Sequence, residues 1–302
     1  MAVPPETLLD RFRLRRQLNR WRFAVIAIII LFTFLMIGPR DGASPLRIRP
    51  HIARVTVDFF IQGQPEEKAL FEEVLNNNHT KALLLKLDSG GGTVVGGEVL
   101  HDMVQEIAKH IPVVVTMETL ATSAAYMVAV PAERIYAHKG TITGSIGVLM
   151  EAPNIAGLSD KIGFRMTEIR SGALKGQPSP YEPVSPQVKA SLQSVVDDFH
   201  DVFVTMVQEG RGLPRDAVEK LADGRAFTGR QALENGLIDA IGGEEEAIKW
   251  LEEEKKVKSG LPIYDIEPVW KTPDLWQTMM QDILQTVQNS GAFFQRRLLS
   301  RW

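Results

Sequence analysis

A nearly continuous apolar run at residues 82–88 (ALLLKLD) constrains the fold of this chain more than any other feature. A strand that lacks a polar face is typical of a parallel sheet covered on both sides. The run ends at three glycines, 90–92, and is followed by a helical pattern from Val94 to about Ile111 and by a second apolar run at 113–117. Strand, helix and strand at this spacing predict βαβ units, so we expect an α/β fold built on a parallel sheet.

Further patterns extend this unit on both sides. Alternating β-branched and aromatic residues predict a strand from Ile52, and an amphipathic pattern predicts a helix over 66–78. The elements predicted after the glycine run are an apolar helix at 123–130, a strand at 134–138, a strand or strand–turn at 141–150, a long helix at 186–211, a polar helix at 216–222 and an acidic helix at 244–256. The absence of an internal repeat argues against a tandem architecture.

Composition excludes several classes of function. The chain has 302 residues and a net charge of −3, so it lacks the basic excess of a nucleic-acid-binding protein. It contains no cysteine, which rules out disulfides, thiolate metal sites and a cysteine nucleophile. Its six histidines form no metal-binding motif, and the glycine run lacks the spacing of nucleotide-binding loops. We therefore expect neither a metal nor another cofactor.

The N-terminus predicts a membrane anchor. Residues 23–38 are uncharged and almost wholly apolar, although the run is near the lower length limit for a helix that crosses a bilayer. Arginines dominate residues 1–22, and the positive-inside rule therefore assigns that basic segment to the cytoplasm. A polar linker follows at 39–51, and the rest is expected outside the cytoplasm, in a single-pass protein of the cell (inner or plasma) membrane that contacts lipid through the anchor. A cleaved signal peptide is the alternative, but no convincing cleavage site follows the run.

The C-terminal residues 258–302 predict a helical extension. Apolar residues recur at helical spacing after Pro273, and the chain ends with arginines beside aromatic residues. Such a helix could pack on a neighbouring subunit, lie on the membrane surface or dock on its own domain. The sequence leaves these three interpretations open.

Two features could support hydrolytic chemistry, and each has a purely structural alternative. Ser123 follows an apolar strand and begins an apolar helix, where a serine can be a nucleophile or simply an N-cap. The glycine run could present backbone N–H groups to a developing oxyanion, or it could only form a tight turn. Neither feature decides the matter by itself.

A nucleophilic serine needs a base, and the residues by themselves leave its identity open. His138 is the nearest histidine downstream of Ser123. The candidate lysines are Lys86, Lys139, Lys161 and Lys175. A lysine amine acts as a base only when burial lowers its pKa toward neutrality.

Four stretches, taken together, carry a resemblance to a known family. They are LLKLDSGGGTVVGGEVL (84–100), ATSAAYMVAVPAERIYAHKGTITGSIGVLM (121–150), IRSGALKGQPSPYEPVSP (169–186) and LADGRAFTGRQALENGLIDAIGG (221–243). They resemble the signal peptide peptidase A family, the membrane-bound Ser–Lys peptidases of the Clp/crotonase-like fold. The chain departs from the family pattern at Gly90, where proline is usual, and at Ala124 and Ala125, where two glycines are usual.

The resemblance assigns a role to each candidate residue. It implies that Ser123 is the nucleophile, that Lys175 is the general base and that the Ser145 hydroxyl orients the lysine. It also implies that the N–H groups of Gly91 and Ala124 form the oxyanion hole. Lys175 would then take the proton of Ser123, and water activated by the same lysine would hydrolyse the acyl-enzyme.

The resemblance also implies the partners of the chain. A peptidase domain at 52–257 would act as an endopeptidase on apolar peptides, such as signal-peptide remnants. Family members with one copy of the domain assemble into homo-oligomeric rings, so Lys175 could serve the Ser123 of a neighbouring subunit. The alternatives are a non-catalytic membrane scaffold of the same fold and an acyl-CoA enzyme of the crotonase-like fold. The second of these fits poorly with a domain outside the cytoplasm.

Overall fold

The computed structural model describes residues 21–22, 25 and 49–266. Within these residues, no helix combines the length and the apolar character that crossing a bilayer requires. Apart from Val25, the predicted anchor at 23–38 lies outside the described residues, as do most of its flanking segments and residues 267–302 of the predicted C-terminal extension. The anchor and the end of the extension therefore stay predictions.

A single mixed sheet organises residues 49–266. Its strands are β1 (His51–Val57), β2 (Thr80–Ser89), β3 (Val113–Thr122), β4 (Arg134–Ala137), β5 (Ile142–Gly144), β6 (Ala226–Thr228), β7 (Ala240–Ile241) and β8 (Ile263–Ile266). The strand order is β6-β5-β3-β2-β1-β8, and β4 pairs with β3 and β7. The named pairs are parallel except for β5 with β6, which is antiparallel. The predicted α/β class is confirmed, with a sheet that is mixed and not purely parallel.

Helices cover both faces of this sheet. Those described between residues 49 and 266 are α1 (Pro65–Asn76), α2 (Val94–Ala108), α3 (Ala124–Ala129), α4 (Ala156–Ile162), α5 (Pro186–Arg211), α6 (Arg215–Leu221), α7 (Gly229–Glu234) and α8 (Glu244–Glu253). Helix α5 has the predicted bounds because local signals determine both of its ends. Pro186 occupies the first turn after the capping Ser185, and Gly212 ends the helix in the left-handed conformation.

The apolar run that predicted a buried strand forms the centre of β2. Leu83, Leu85 and Leu87 belong to the core on the side of α1, α2 and α3. Leu84 belongs to a second apolar cluster, on the side of α8. All four side chains have no exposed surface, so burial on both faces is confirmed.

Of the two alternatives predicted at 141–150, a strand or a strand–turn, the structure has the shorter one: β5 ends after three residues, because Ser145 has a positive φ of 50° and turns the chain out of the sheet. Another local prediction differs from the structure. The segment 258–302 was expected to be helical, but its described part contains strand β8, which pairs with β1. A strand at this position satisfies backbone groups that an uncovered edge of β1 would leave without partners.

The sheet brings the glycine run and Ser123 together. Strands β2 and β3 are parallel neighbours, and Ser89 near the end of β2 pairs with Ala121 near the end of β3. Both strands therefore end at the same edge of the sheet. The carboxyl edge of a parallel sheet is where ligand sites in α/β folds usually lie.

Candidate active site

Ser123 lies between β3 and α3 in a conformation that is rare for a residue with a side chain. Its φ is 55° and its ψ is −125°, a combination that costs of order 1–3 kcal/mol for residues other than glycine. Ser123 occupies the N-cap position, but its side chain caps no helix N–H. The N-cap interpretation therefore describes the position of this residue and not the use of its hydroxyl.

Buried contacts hold this strained turn in place. The N–H of Ser123 donates to the carbonyl oxygen of Gly144 at 2.9 Å. Every residue of α3 is buried. The fully buried Tyr126 donates its hydroxyl to the carbonyl oxygen of Leu237 at 2.7 Å, and this burial raises the pKa of Tyr126. These interactions compensate for the local strain at Ser123 and fix the direction in which its side chain leaves the helix.

The glycine turn lies directly against Ser123. Gly91 has a φ of 111°, and a Cβ atom placed on it would lie 2.8 Å from the Cβ of Ser123 and 3.1 Å from the backbone nitrogen of Ala124. Atoms at such distances leave no room for a side chain, so glycine is required for both its conformation and its size. Gly91 and Ala124, which sequence reasoning paired, are thus neighbours.

The N–H groups around Ser123 differ in whether they are already used. The Gly91 N–H donates to Ser89 Oγ at 3.2 Å, whereas the Ala124 N–H has no acceptor among residues 49–266. Gly92 was not predicted as a donor. Ile61 bonds to the residues on either side of Gly92, through the Gly91 carbonyl and the Thr93 N–H, so this bridge leaves the Gly92 N–H unused.

Ser145 follows Gly144, the residue that accepts the Ser123 N–H, and so it lies beside the candidate nucleophile. Its positive φ of 50° is the second strained serine conformation at this site, and its N–H donates to the carbonyl oxygen of Arg225 at 3.0 Å. In the described part of the chain, the Ser145 hydroxyl has no hydrogen-bond partner, and Ser145 lines the same cleft as Ser123. It is therefore available to contact a group that enters this cleft.

A cleft of about 760 Å³ runs past Ser123 and is lined by apolar and polar residues. The apolar wall consists of Phe60, Val94, Met127, Val148 and Leu149. The polar residues Gln193, Asp197 and His200 of α5 and Asp223 after α6 also line the cleft, together with the apolar Val196 and Ala222. Asp223 forms an ion pair with Arg225, and hydrogen bonds from Arg225 lower the pKa of the Asp223 carboxyl to about 2.

The structure does not bring Lys175 to the Ser123 of its own chain. Lys175 is exposed in a turn, where its N–H donates to the carbonyl oxygen of Gly172 at 3.1 Å. No lysine is among the residues that line the cleft within the described range. The predicted Ser–Lys pair is therefore not assembled within the described part of one subunit.

The histidine considered as an alternative base is also not at the cleft. The His138 ring is packed beside Gly243, at the start of α8. A different histidine, His200, lines the cleft, and its Nε2 atom lies 2.7 Å from the Ala222 carbonyl oxygen, to which it must donate. Sequence reasoning missed His200 because it lies inside a long helix, and only the packing of α5 against the site reveals it.

In the described ranges, no group of three or more histidine or carboxylate side chains could hold a metal ion. The expectation of a reaction without metal or cofactor stays a prediction. The groups gathered at the cleft are instead a serine hydroxyl, unused backbone N–H groups and a second serine hydroxyl. This set suits nucleophilic attack on a carbonyl, with the N–H groups stabilising the oxyanion.

Comparison with known proteins decides the family. Residues 105–258, about half of the chain, match the profile of Peptidase family S49. The chain belongs to peptidase family S49. The matched region contains Ser123, Ser145 and Lys175, and the glycine turn precedes it. The predicted class of enzyme, a serine peptidase, and the resemblance to the signal peptide peptidase A family are both confirmed.

Named relatives of this S49 member align over part of their length. A provisionally named protease of Methanocaldococcus jannaschii is 40% identical over 184 residues, 61% of this chain and 59% of that protein. An Enterococcus faecium protein provisionally named signal peptide peptidase SppA is 36% identical over 187 residues, 62% of this chain and 54% of that protein. The chain thus matches little more than half the length of these relatives. Among solved structures, a mutant of a membrane-bound stomatin-specific protease matches 73% of this chain and 99% of its own, with 13% identity and a TM-score of 0.46.

Proposed function

We propose that the chain is a membrane-anchored serine endopeptidase that cleaves apolar peptides through a Ser123–Lys175 dyad and an acyl-enzyme. The observation that carries the proposal is the backbone of Ser123, which is strained and leaves the hydroxyl unused at the wall of a cleft. A serine that only capped α3 would need no such conformation, and it would accept a hydrogen bond from the helix. Strain retained without a capping bond is typical of a functional residue.

The proposed reaction has two halves. Neutral Lys175 accepts the proton of Ser123 Oγ as this oxygen attacks the scissile carbonyl, and the lysine then donates a proton to the leaving amine. Water, activated by the same amine, hydrolyses the ester. The N–H groups of Ala124 and of the glycine turn would hold the oxyanion, with Gly92 as a second candidate beside Gly91, whose N–H is used by Ser89. One such donor contributes about 2.7–4 kcal/mol in other serine hydrolases.

We propose that the dyad forms between neighbouring subunits of a homo-oligomeric ring. Lys175 is exposed and does not line the cleft of its own chain. Many apolar side chains in the segment that precedes it, 149–174, are exposed to an extent that a monomer rarely tolerates: Leu149, Met150, Ile155, Leu158, Ile162, Phe164, Met166, Ile169 and Leu174. Burial of this surface on a second copy would bring Lys175 near another Ser123 and remove water from its amine, as a lysine base requires.

Apolar peptides are the proposed substrates because one wall of the cleft is apolar. Phe60 is 62% exposed at its rim, and Val94, Met127 and Val148 continue the same wall. The name of the Enterococcus faecium relative, signal peptide peptidase, is consistent with such substrates. A single-pass anchor at 23–38, with the domain outside the cytoplasm, would hold the cleft close to the membrane, where such peptides partition.

Ser123→Ala tests this proposal in the purified full-length protein. We expect kcat for a fluorogenic apolar peptide to fall by at least about 10³-fold, with the oligomeric state unchanged. Ser191→Ala is the matched control, because Ser191 is an exposed serine on α5 that does not line the cleft. Retained hydrolysis in Ser123→Ala would overturn the assignment of the nucleophile.

A non-catalytic membrane scaffold of the same fold is the second candidate. The observation in its favour is that Lys175 lies outside the cleft of its own chain. The two candidates differ in the behaviour of the assembled wild-type protein. A scaffold would hydrolyse no peptide, whereas the peptidase would do so in a manner that depends on both Ser123 and Lys175.

A further inference from the structure

Helices α2 and α3 are in close contact where Gly97 faces Ala124 and Met127. A Cβ atom placed on the buried Gly97 would lie 3.0 Å from the Cβ of Ala124, 3.3 Å from its Cα and 2.7 Å from the Met127 sulfur. Gly96 faces a different element, because a Cβ placed there would meet the backbone of Gln62. The space beside Ala124 therefore depends on residue 97.

The two neighbours of Gly97 differ in how they could move. The Met127 sulfur belongs to a flexible side chain, and it could shift toward the cleft that Met127 lines. Ala124 has no such freedom, because its methyl group is attached directly to a fixed backbone. That backbone lies against Gly91, and the preceding Ser123 is tied to Gly144 by its N–H. An added methyl group on residue 97 would thus displace the start of α3.

We propose that Gly97 is a positioning residue whose missing side chain makes room for the methyl group of Ala124. This chain has alanine at 124 where the family that it resembles usually has glycine, and the added methyl lies against a position of α2 that has no side chain. The packing of Gly97 against Ala124 holds the Ala124 N–H, the first donor of α3, at the place where the oxyanion forms. It also holds the adjoining Ser123 there. The inference rests on the proposed peptidase function.

The test compares Gly97→Ala, Ala124→Gly and the double variant as full-length proteins, with kcat, KM and thermal unfolding measured for each. We expect Gly97→Ala to lower kcat by about 10- to 100-fold with little change in KM, because the misplaced groups act in the transition state. The double variant should recover kcat to within about three-fold of Ala124→Gly, because the contact between the two Cβ atoms is gone and the flexible Met127 side chain can move away from residue 97. Glu98→Ala, at the exposed next position of α2, is the matched control and should retain kcat.

The double variant keeps the inference testable if Gly97→Ala does not fold. It must then fold and hydrolyse peptide. Full kcat in Gly97→Ala, or a double variant that stays inactive or unfolded, would overturn the inference. Failure of the proposed function looks different, since the wild type would then show no hydrolysis dependent on Ser123. In that case thermal unfolding still tests the contact between residues 97 and 124. The contact requires that the effects of Gly97→Ala and Ala124→Gly on the unfolding midpoint are not additive in the double variant.

Discussion

Ser123 and Ser185 both precede a helix, yet the two side chains are used differently. Ser185 Oγ accepts a hydrogen bond from the N–H of Val188 at 3.2 Å and so begins α5 in the usual way. Ser123 Oγ caps nothing, and its backbone has a positive φ. Ser185 thus stabilises the start of a helix, whereas Ser123 has a strained backbone beside the cleft. Sequence reasoning could name both options for Ser123, but only backbone geometry separates them.

Ser123→Gly should stabilise the fold while it removes the nucleophile. Glycine adopts a positive φ without steric cost, so the free energy of unfolding should rise by about 1 kcal/mol after its larger chain entropy is subtracted. Denaturant unfolding measures this change, and peptide hydrolysis should be lost. Ser191→Gly, inside α5, is the control and should lower the free energy of unfolding by about 0.5 kcal/mol, the difference in helix propensity between serine and glycine. A lower free energy of unfolding in Ser123→Gly than in the wild type would contradict the claim that the backbone of Ser123 is strained.

At the scale of the elements, α5 illustrates how local chemistry sets the ends of a helix. The capping Ser185, Pro186 in the first turn and Gly212 at the end were all readable in the sequence. Ser185→Ala should lower the free energy of unfolding by about 1 kcal/mol, because the Val188 N–H loses its acceptor. Thermal or denaturant unfolding measures this loss. A fall in kcat of the folded variant would show that Ser185 has a further role, against this account.

Strand β8 is joined to the rest of the sheet by charges as well as by backbone pairing. The Arg54 side chain donates to Asp265 on β8 at 2.5 Å and to Glu244 on α8 at 2.7 Å. Hydrogen bonds from Arg54 lower the pKa of the Asp265 carboxyl. Because the folded-state pKa is below the unfolded value, the contribution to stability is present at neutral pH and is lost as the pH falls through the folded-state pKa.

Asp265→Asn tests this contribution. At pH 7 the variant should be less stable than the wild type by less than about 1 kcal/mol, because the pair is partly exposed and screened. The difference should shrink with added salt, and it should disappear as the pH falls through the lowered folded-state pKa of Asp265, where the carboxyl of the wild type becomes protonated. Urea unfolding at several pH values measures it. If the difference in the free energy of unfolding between the wild type and the variant grew toward acid pH, the proposed contribution of the Asp265 carboxylate would be contradicted.

At the scale of the whole molecule, the sequence predicted those features that depend on neighbours along the chain. The apolar run of β2 predicted a strand buried on both faces, and parallel pairing then brought the glycine turn to Ser123. The strand β8 and the position of His200 depend on which elements pack together, and no local pattern carries that information. The exposure of Lys175 could not be predicted for the same reason. A loop lysine has the same local sequence whether it serves its own chain or another.

A ring with shared sites predicts complementation between inactive chains. Ser123→Ala and Lys175→Ala proteins should each be inactive, because each lacks one member of the dyad. When the two are mixed under conditions that allow subunit exchange, roughly a quarter of the sites should regain both groups if subunits combine at random. Recovery of peptide hydrolysis measures this fraction. No recovery, despite mixed assemblies seen by native mass spectrometry, would mean that each chain supplies its own lysine.

The most direct test of the whole account is the identity of the acylated residue. The full-length protein is mixed with an activated apolar peptide ester, quenched in acid and digested with trypsin, and the acyl group is mapped by mass spectrometry. The account predicts one acyl group within the fragment 110–134, on Ser123, and none in Ser123→Ala. An acyl group on any other residue, or turnover of the ester without a modified Ser123, would contradict it.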